Sequence, residues 1–196
     1  MQTRSSALLL AFAGLSAASA VAQLTPQPAA PPTAVEAAPA SASVLVGKVT
    51  REQVEEAAPE WVLSEGKASP EAAAVRSLGK VAPGATVTVY LGTWCGDSQR
   101  EVSRLFRTLD EMGGSFPAAI ELIGVDETKR EPKALLAGVD LEFVPTIIVR
   151  RGGQEVGRIV ESSPHGIEVD LLDLLEGRAK GVLSLRGDLA PESPKP

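Results

Sequence analysis

The sequence predicts an α/β fold, with a mixed central sheet flanked by helices and a helical extension at the N-terminal side. Three observations carry this. Val87-Thr88-Val89-Tyr90-Leu91 is a β-branched, apolar run of strand length. Val102, Leu105, Phe106, Leu109 and Met112 then recur with helical spacing on one face. Finally, two strand-like runs, Thr146–Arg150 and Glu155–Val160, are joined by Arg151-Gly152-Gly153-Gln154, a hairpin signal.

The elements follow in order. Thr50 reads as an N-cap with Gln53 completing a capping box, and Val49 and Val54 are spaced as a hydrophobic staple. Pro59 limits that helix. A second short helix is expected from Ser69 as N-cap and Pro70 at the first helical position, stopping near Gly79. Pro83-Gly84 is a turn before the strand Thr86–Leu91. The helix after Cys95 ends at Gly113-Gly114. Ala119–Val125 is a second strand, and Pro132–Ala137 a short helix closing near Gly138. After the hairpin, Ile167, Leu171, Leu174 and Leu175 share one face of a final helix. The first two strands should pair in parallel through a right-handed crossover, and the last two antiparallel.

Four regions are expected. Residues 1–22 read as a signal peptide: Arg4 is the charged start, Ala7–Ala18 the apolar run and Ala20-Val21-Ala22 the cleavage pattern. Residues 23–44 are a Pro/Ala-rich linker with almost no large apolar side chain. Residues 45–186 are the folded domain, and 187–196 a disordered tail. Export would place the mature chain in the periplasm or outside the cell, with no transmembrane helix left in it.

Composition excludes several functions. The 196 residues carry a net charge of −6, which leaves no basic footprint for nucleic acid. One cysteine excludes an internal disulfide framework and a cysteine-built zinc site, and the one histidine, His165, argues against a histidine-built metal centre. His165 reads as an exposed loop residue, Trp61 as core packing of the early helices, and Asp126–Glu131 as a solvated charged loop. No metal and no bound cofactor is implied.

The chemistry concentrates at Trp94-Cys95-Gly96-Asp97-Ser98, after a strand and at a helix start. Exchange requires a thiolate at an accessible sulfur. Free N–H groups and the positive end of the helix dipole favour one, whereas the Asp97 charge opposes it. Ser98 has two readings: a hydroxyl that stabilises the Cys95 thiolate, or one that satisfies the helix backbone.

This arrangement resembles the thioredoxin-like superfamily, most of all exported bacterial members with a single-cysteine active segment. Trp94-Cys95-Gly96 at the strand-to-helix turn, Val144-Pro145-Thr146 fifty residues on, and the hairpin and last helix carry the resemblance over roughly Val81–Gly177. The resemblance implies a thioredoxin fold and a cis-proline at Pro145 facing the nucleophile. It implies that Val144 offers main-chain groups to an extended peptide, and that Trp94, Gly96 and Asp97 adjoin the client. The chain departs from the family pattern twice. Ser98 stands where the resolving cysteine is usual, and Val89 where a buried acid is common.

With Cys95 as nucleophile and no second thiol, a mixed disulfide can form but cannot be released internally. The expectation is therefore monothiol thiol–disulfide exchange or mixed-disulfide handling, possible enzyme chemistry with a low-molecular-weight thiol such as glutathione as co-substrate. The partner would be a client protein or peptide, and the chain a monomer. The alternative is a non-enzymatic peptide-binding module whose cysteine is redox-silent.

Overall fold

In the computed structural model the described residues are 43–114 and 116–189. The expected signal peptide and all but the last two residues of the expected linker lie outside them, as do residues 190–196 of the expected tail. Twelve elements follow in chain order: β1 (Gly47–Val49), α1 (Arg51–Ala57), α2 (Glu60–Lys67), α3 (Ala72–Leu78), β2 (Ala85–Leu91), α4 (Gly96–Met112), β3 (Ala119–Gly124), α5 (Lys133–Leu136), β4 (Thr146–Arg151), β5 (Gln154–Val160), α6 (Ile167–Glu176) and β6 (Gly181–Leu183). Among the described residues no helix is long and apolar enough to cross a membrane.

All six strands form one sheet in the order β1-β3-β2-β4-β5-β6. β2 and β3 pair in parallel across α4, while β2–β4 and β4–β5 are antiparallel. Central β2 buries Ala85, Val87, Val89 and Leu91 on one face; on the other Thr86 is exposed while Thr88 and Tyr90 are covered. Val87, Val89 and Leu91 face the larger core with Ile147 and Val149 of β4. Val102, Leu105 and Phe106 of α4 and Leu171 and Leu174 of α6 close that core. Each such side chain contributes about 1.5–3 kcal/mol by leaving water. The other face, with Tyr90, Ile123, Val144 and Ile148, is covered by Leu135 and Leu136 of α5, and half-buried Trp94 and Cys95 pack against it. This parallel β–α–β unit, followed by an antiparallel hairpin and a closing helix on one mixed sheet, is a thioredoxin-like α/β architecture.

The capping box at α1 forms: the Thr50 hydroxyl accepts from Gln53 N–H, and the Gln53 side chain accepts from Thr50 N–H. Several elements differ from expectation. Ser69 does not cap α3; the helix starts at Ala72 after Glu71, whose N–H is taken at 2.8 Å by Glu168 of α6. A tertiary carboxylate thus replaces the local cap. Pro59 ends one helix and opens another, α2, since its fixed φ of −58° suits a helix start. The three-residue edge strands β1 and β6 are too short to leave a periodic signal. Ser43 belongs to the folded unit, donating its N–H to Ala57 O at 3.0 Å, and residues 187–189 form a turn tied to Arg186 O.

Candidate functional site

The site is built where β2 ends. Gly92, Thr93 and Trp94 turn the chain, and Cys95 is the N-cap of α4, with φ −100° and ψ 123°. The turn closes by Cys95 N–H to Gly92 O at 3.0 Å, and the first helical bond runs from Gln99 N–H to Cys95 O at 2.9 Å. The Cys95 side chain makes no capping bond. Its Sγ instead donates to Val144 O at 3.3 Å, from a half-buried position. The Val144–Pro145 peptide bond is cis. Cys95 and the Val144-Pro145 segment, 49 residues on, are thus brought together through Val144 O.

The other expected residues fall around that point. Ser98 is fully buried, and its Oγ accepts the Gly92 N–H at 3.1 Å. Among the described residues no hydrogen bond joins Ser98 to Cys95, and its partner is the Gly92 N–H of the turn after β2 rather than helix backbone. Asp97 pairs with Arg100 at 2.7 Å. Gly96 is exposed, and a Cβ there would meet open space. Trp94 lies flat against the turn: a Cβ on Gly92 would be 2.6 Å from its Cε2. Its Nε1 donates to Val125 O at 3.1 Å.

Residues without a sequence motif complete the surroundings. The Thr93 hydroxyl donates to Ser43 O and accepts from Leu45 N–H at 3.3 Å, folding the segment before β1 over the turn. Val44, Glu60, Gln99 and Glu127 line a groove of about 420 Å³ with Trp94 and Cys95. The loop Asp126–Glu131 is folded around one carboxylate. The Thr128 hydroxyl and then the N–H groups of Glu131, Arg130 and Thr128 hold Asp126 down at about 2. That fold sets Lys129 Nζ 5.9 Å from the centroid of the Trp94 ring. The loop is mostly exposed, as expected, and its bonds to Asp126 fold it beside the site.

Two buried acids lie away from the turn, Glu101 on α4 and Glu168 on α6. Glu168 is fully buried and receives both Arg104 Nε and Nη2, at 2.8 and 2.6 Å. Burial pushes its carboxyl up, but Arg104 and the Glu71 N–H outweigh burial and hold it below the ordinary range. Glu101 differs: burial dominates, and its carboxyl is raised despite Arg100. His165 lies exposed on its loop, as expected, with Nδ1 2.8 Å from the buried Asp170 carboxylate.

Several solved structures are similar to this chain. One is a protein of unknown function from Pseudomonas aeruginosa, with 15% identity, 66% of this chain and 88% of that chain covered, and a TM-score of 0.47. Another is a mutant thioredoxin from Halobacterium salinarum, with 23% identity, 56% and 85% coverage, and a TM-score of 0.36. A third is mitochondrial thioredoxin 3 from Saccharomyces cerevisiae, with 18% identity, 58% and 97% coverage, and a TM-score of 0.32. No family model and no curated protein matches the chain. The chain's own sheet topology, a parallel β–α–β unit followed by an antiparallel hairpin, is thioredoxin-like, and its one cysteine stands at the N-terminus of α4.

Proposed function

We propose that this protein carries out monothiol exchange: Cys95 forms mixed disulfides with a client protein or peptide, and an external thiol such as glutathione releases them. The observation that carries this reading is the Cys95 Sγ at a helix N-terminus, 3.3 Å from Val144 O. There the sulfur lies beside main-chain groups that can pair with an extended client segment. Cys95 attacks one sulfur of the client disulfide. A new S–S bond forms as the old one breaks, and the leaving sulfur takes up a proton. With Ser98 at the second position, resolution falls to a second thiol. The part proposed for Ser98 is to hold the turn that presents Cys95; Trp94, Gly96, Asp97, Val144 and Pro145 would border the client. The protein would act as an exported monomer, cleaved after residue 22, which amino-terminal sequencing of the mature chain tests.

The half-buried sulfur, already bonded to Val144 O, favours one second reading: a peptide-binding module with a silent cysteine. Incubating the reduced, folded protein with oxidised glutathione separates the two. Monothiol exchange requires one glutathionyl adduct on the wild type and none on Cys95→Ser, persisting until another thiol is added. A native protein that gains no adduct sinks the exchange reading and leaves the module.

A further inference from the structure

β6 adds in parallel to the edge strand β5, with Leu183 opposite Ile159. Past β6 the chain stays on the domain. The Ser184 hydroxyl donates to Val160 O at 2.8 Å, and Leu185 N–H to Ser162 O at 3.1 Å. These bonds deliver Arg186 to the loop that faces Cys95. Its guanidinium carbon lies 4.0 Å from the centroid of the Phe143 ring, and its Nη1 is 3.1 Å from Glu161 Oε2.

Both contacts lead to the Val144-Pro145 segment. Phe143 immediately precedes Val144, whose carbonyl meets Cys95 Sγ. Glu161 donates its N–H to Pro145 O at 2.7 Å. It does so from a φ of 62°, left-handed backbone that a non-glycine residue rarely adopts. One planar guanidinium, paired also with Asp188 at 2.9 Å, thus joins the Phe143 ring to the carboxylate of the residue whose N–H binds Pro145 O. Lysine could supply its charge but not its flat face. A loop that pairs its backbone with a peptide gains affinity only if it is already fixed in place. A small disulfide, which presents little beyond its sulfurs, gains nothing from that fixation.

We propose that Arg186, at the C-terminal end of the fold, is a positioning residue that gives Cys95 a preference for disulfides carried on extended peptides over small-molecule disulfides. The proposal rests on the exchange reading of Cys95 and names the substrate class of that site. The step is the balanced exchange already described, with the peptide disulfide as the co-reactant.

The test uses the whole chain, with rate constants for loss of the Cys95 thiol followed by mass spectrometry. Two substrates are compared: 2-hydroxyethyl disulfide, and a short unstructured peptide whose one cysteine is capped with 2-mercaptoethanol. The wild type should favour the peptide. Arg186→Ala should lower that preference about fivefold, the size of a partly desolvated cation–π contact, and leave the small-disulfide rate unchanged. Arg186→Lys, which keeps the ion pair but not the stack, should recover only part of it. If Arg186→Ala does not fold, Phe143→Leu removes the stacking partner and must give the same loss. An unchanged preference in the folded variant, or a wild type without preference, overturns the inference alone. A wild type that reacts with neither disulfide overturns the exchange reading and this inference with it.

Discussion

The Ser98 hydroxyl, fully buried, accepts the Gly92 N–H at 3.1 Å and so ties the first turn of α4 to the end of β2. Ser98→Ala leaves that buried N–H without a partner. It should cost about 1–3 kcal/mol of stability, read by denaturant unfolding. Ser98→Cys tests chemistry instead. In this variant a glutathionyl adduct on Cys95 should be expelled without added thiol, leaving an internal disulfide detectable as the loss of both free thiols. An adduct as persistent as in the wild type would contradict the view that only a second sulfur is missing.

Gly92 is required by Trp94. An added Cβ would sit 2.6 Å from Cε2 and 2.9 Å from Nε1 of the indole, so the ring must leave the turn and lose its bond to Val125 O. Gly92→Ala should destabilise the fold by about 1–3 kcal/mol. In a Trp61→Phe background, where Trp94 is the one indole, it should also make fluorescence more accessible to acrylamide. Unchanged quenching would show that the ring does not depend on this glycine.

Acid sensitivity should centre on Glu168. Its carboxyl is held below the ordinary value of 4.5, mainly by Arg104 against the opposing effect of burial. The folded state thus binds this proton more weakly than the unfolded chain. The resulting stabilisation is present above pH 4.5 and is lost as pH falls through the lowered folded value. Arg104→Met strands a buried carboxylate and should cost about 3–5 kcal/mol near neutrality, with a flatter acid limb in unfolding measured against pH. Glu101, raised mainly by burial, has the opposite sign, so Glu101→Gln should stabilise at neutral pH.

His165 is the one histidine, so its imidazole signal in a proton NMR titration is unambiguous. Asp170, bonded to Nδ1 at 2.8 Å, raises it above 6.5. Asp170→Asn should return the midpoint toward 6.5. Because the folded value is raised, this pair's stabilisation is complete below 6.5 and fades as pH climbs through the folded value. A wild-type midpoint at or below 6.5 would refute the pairing.

Local signals are legible where one short segment contains both partners of an interaction. Thr50 and Gln53 form their capping box, Gly152-Gly153 turns the β4–β5 hairpin, and Val102, Leu105 and Phe106 bury the face their spacing marks. Ser69 fails as a cap because Glu168, 97 residues from Glu71, supplies the acceptor. The edge strands fail for a related reason. Gly47–Val49 and Gly181–Leu183 are strands because β3 and β5 offer them partners, and three residues cannot announce that in advance. Around Cys95 the immediate neighbours were readable, but the walls of the groove were not. Glu60 and Glu127 belong to no motif and line the groove beside Cys95 only through tertiary packing.

The sequence by itself determined that one sulfur follows a buried strand and opens an amphipathic helix, with Ser98 where a second thiol would complete a redox pair. Periodicity and the order of residues along the chain are sufficient for that. Only the tertiary structure decided what the sulfur faces and what holds that partner in place. Val144 O lies 3.3 Å from it because β4 pairs with β2, and Arg186 braces the loop because β6 adds to β5. Pairing between strands distant in sequence is set by the burial of whole faces, which no single segment of the chain encodes.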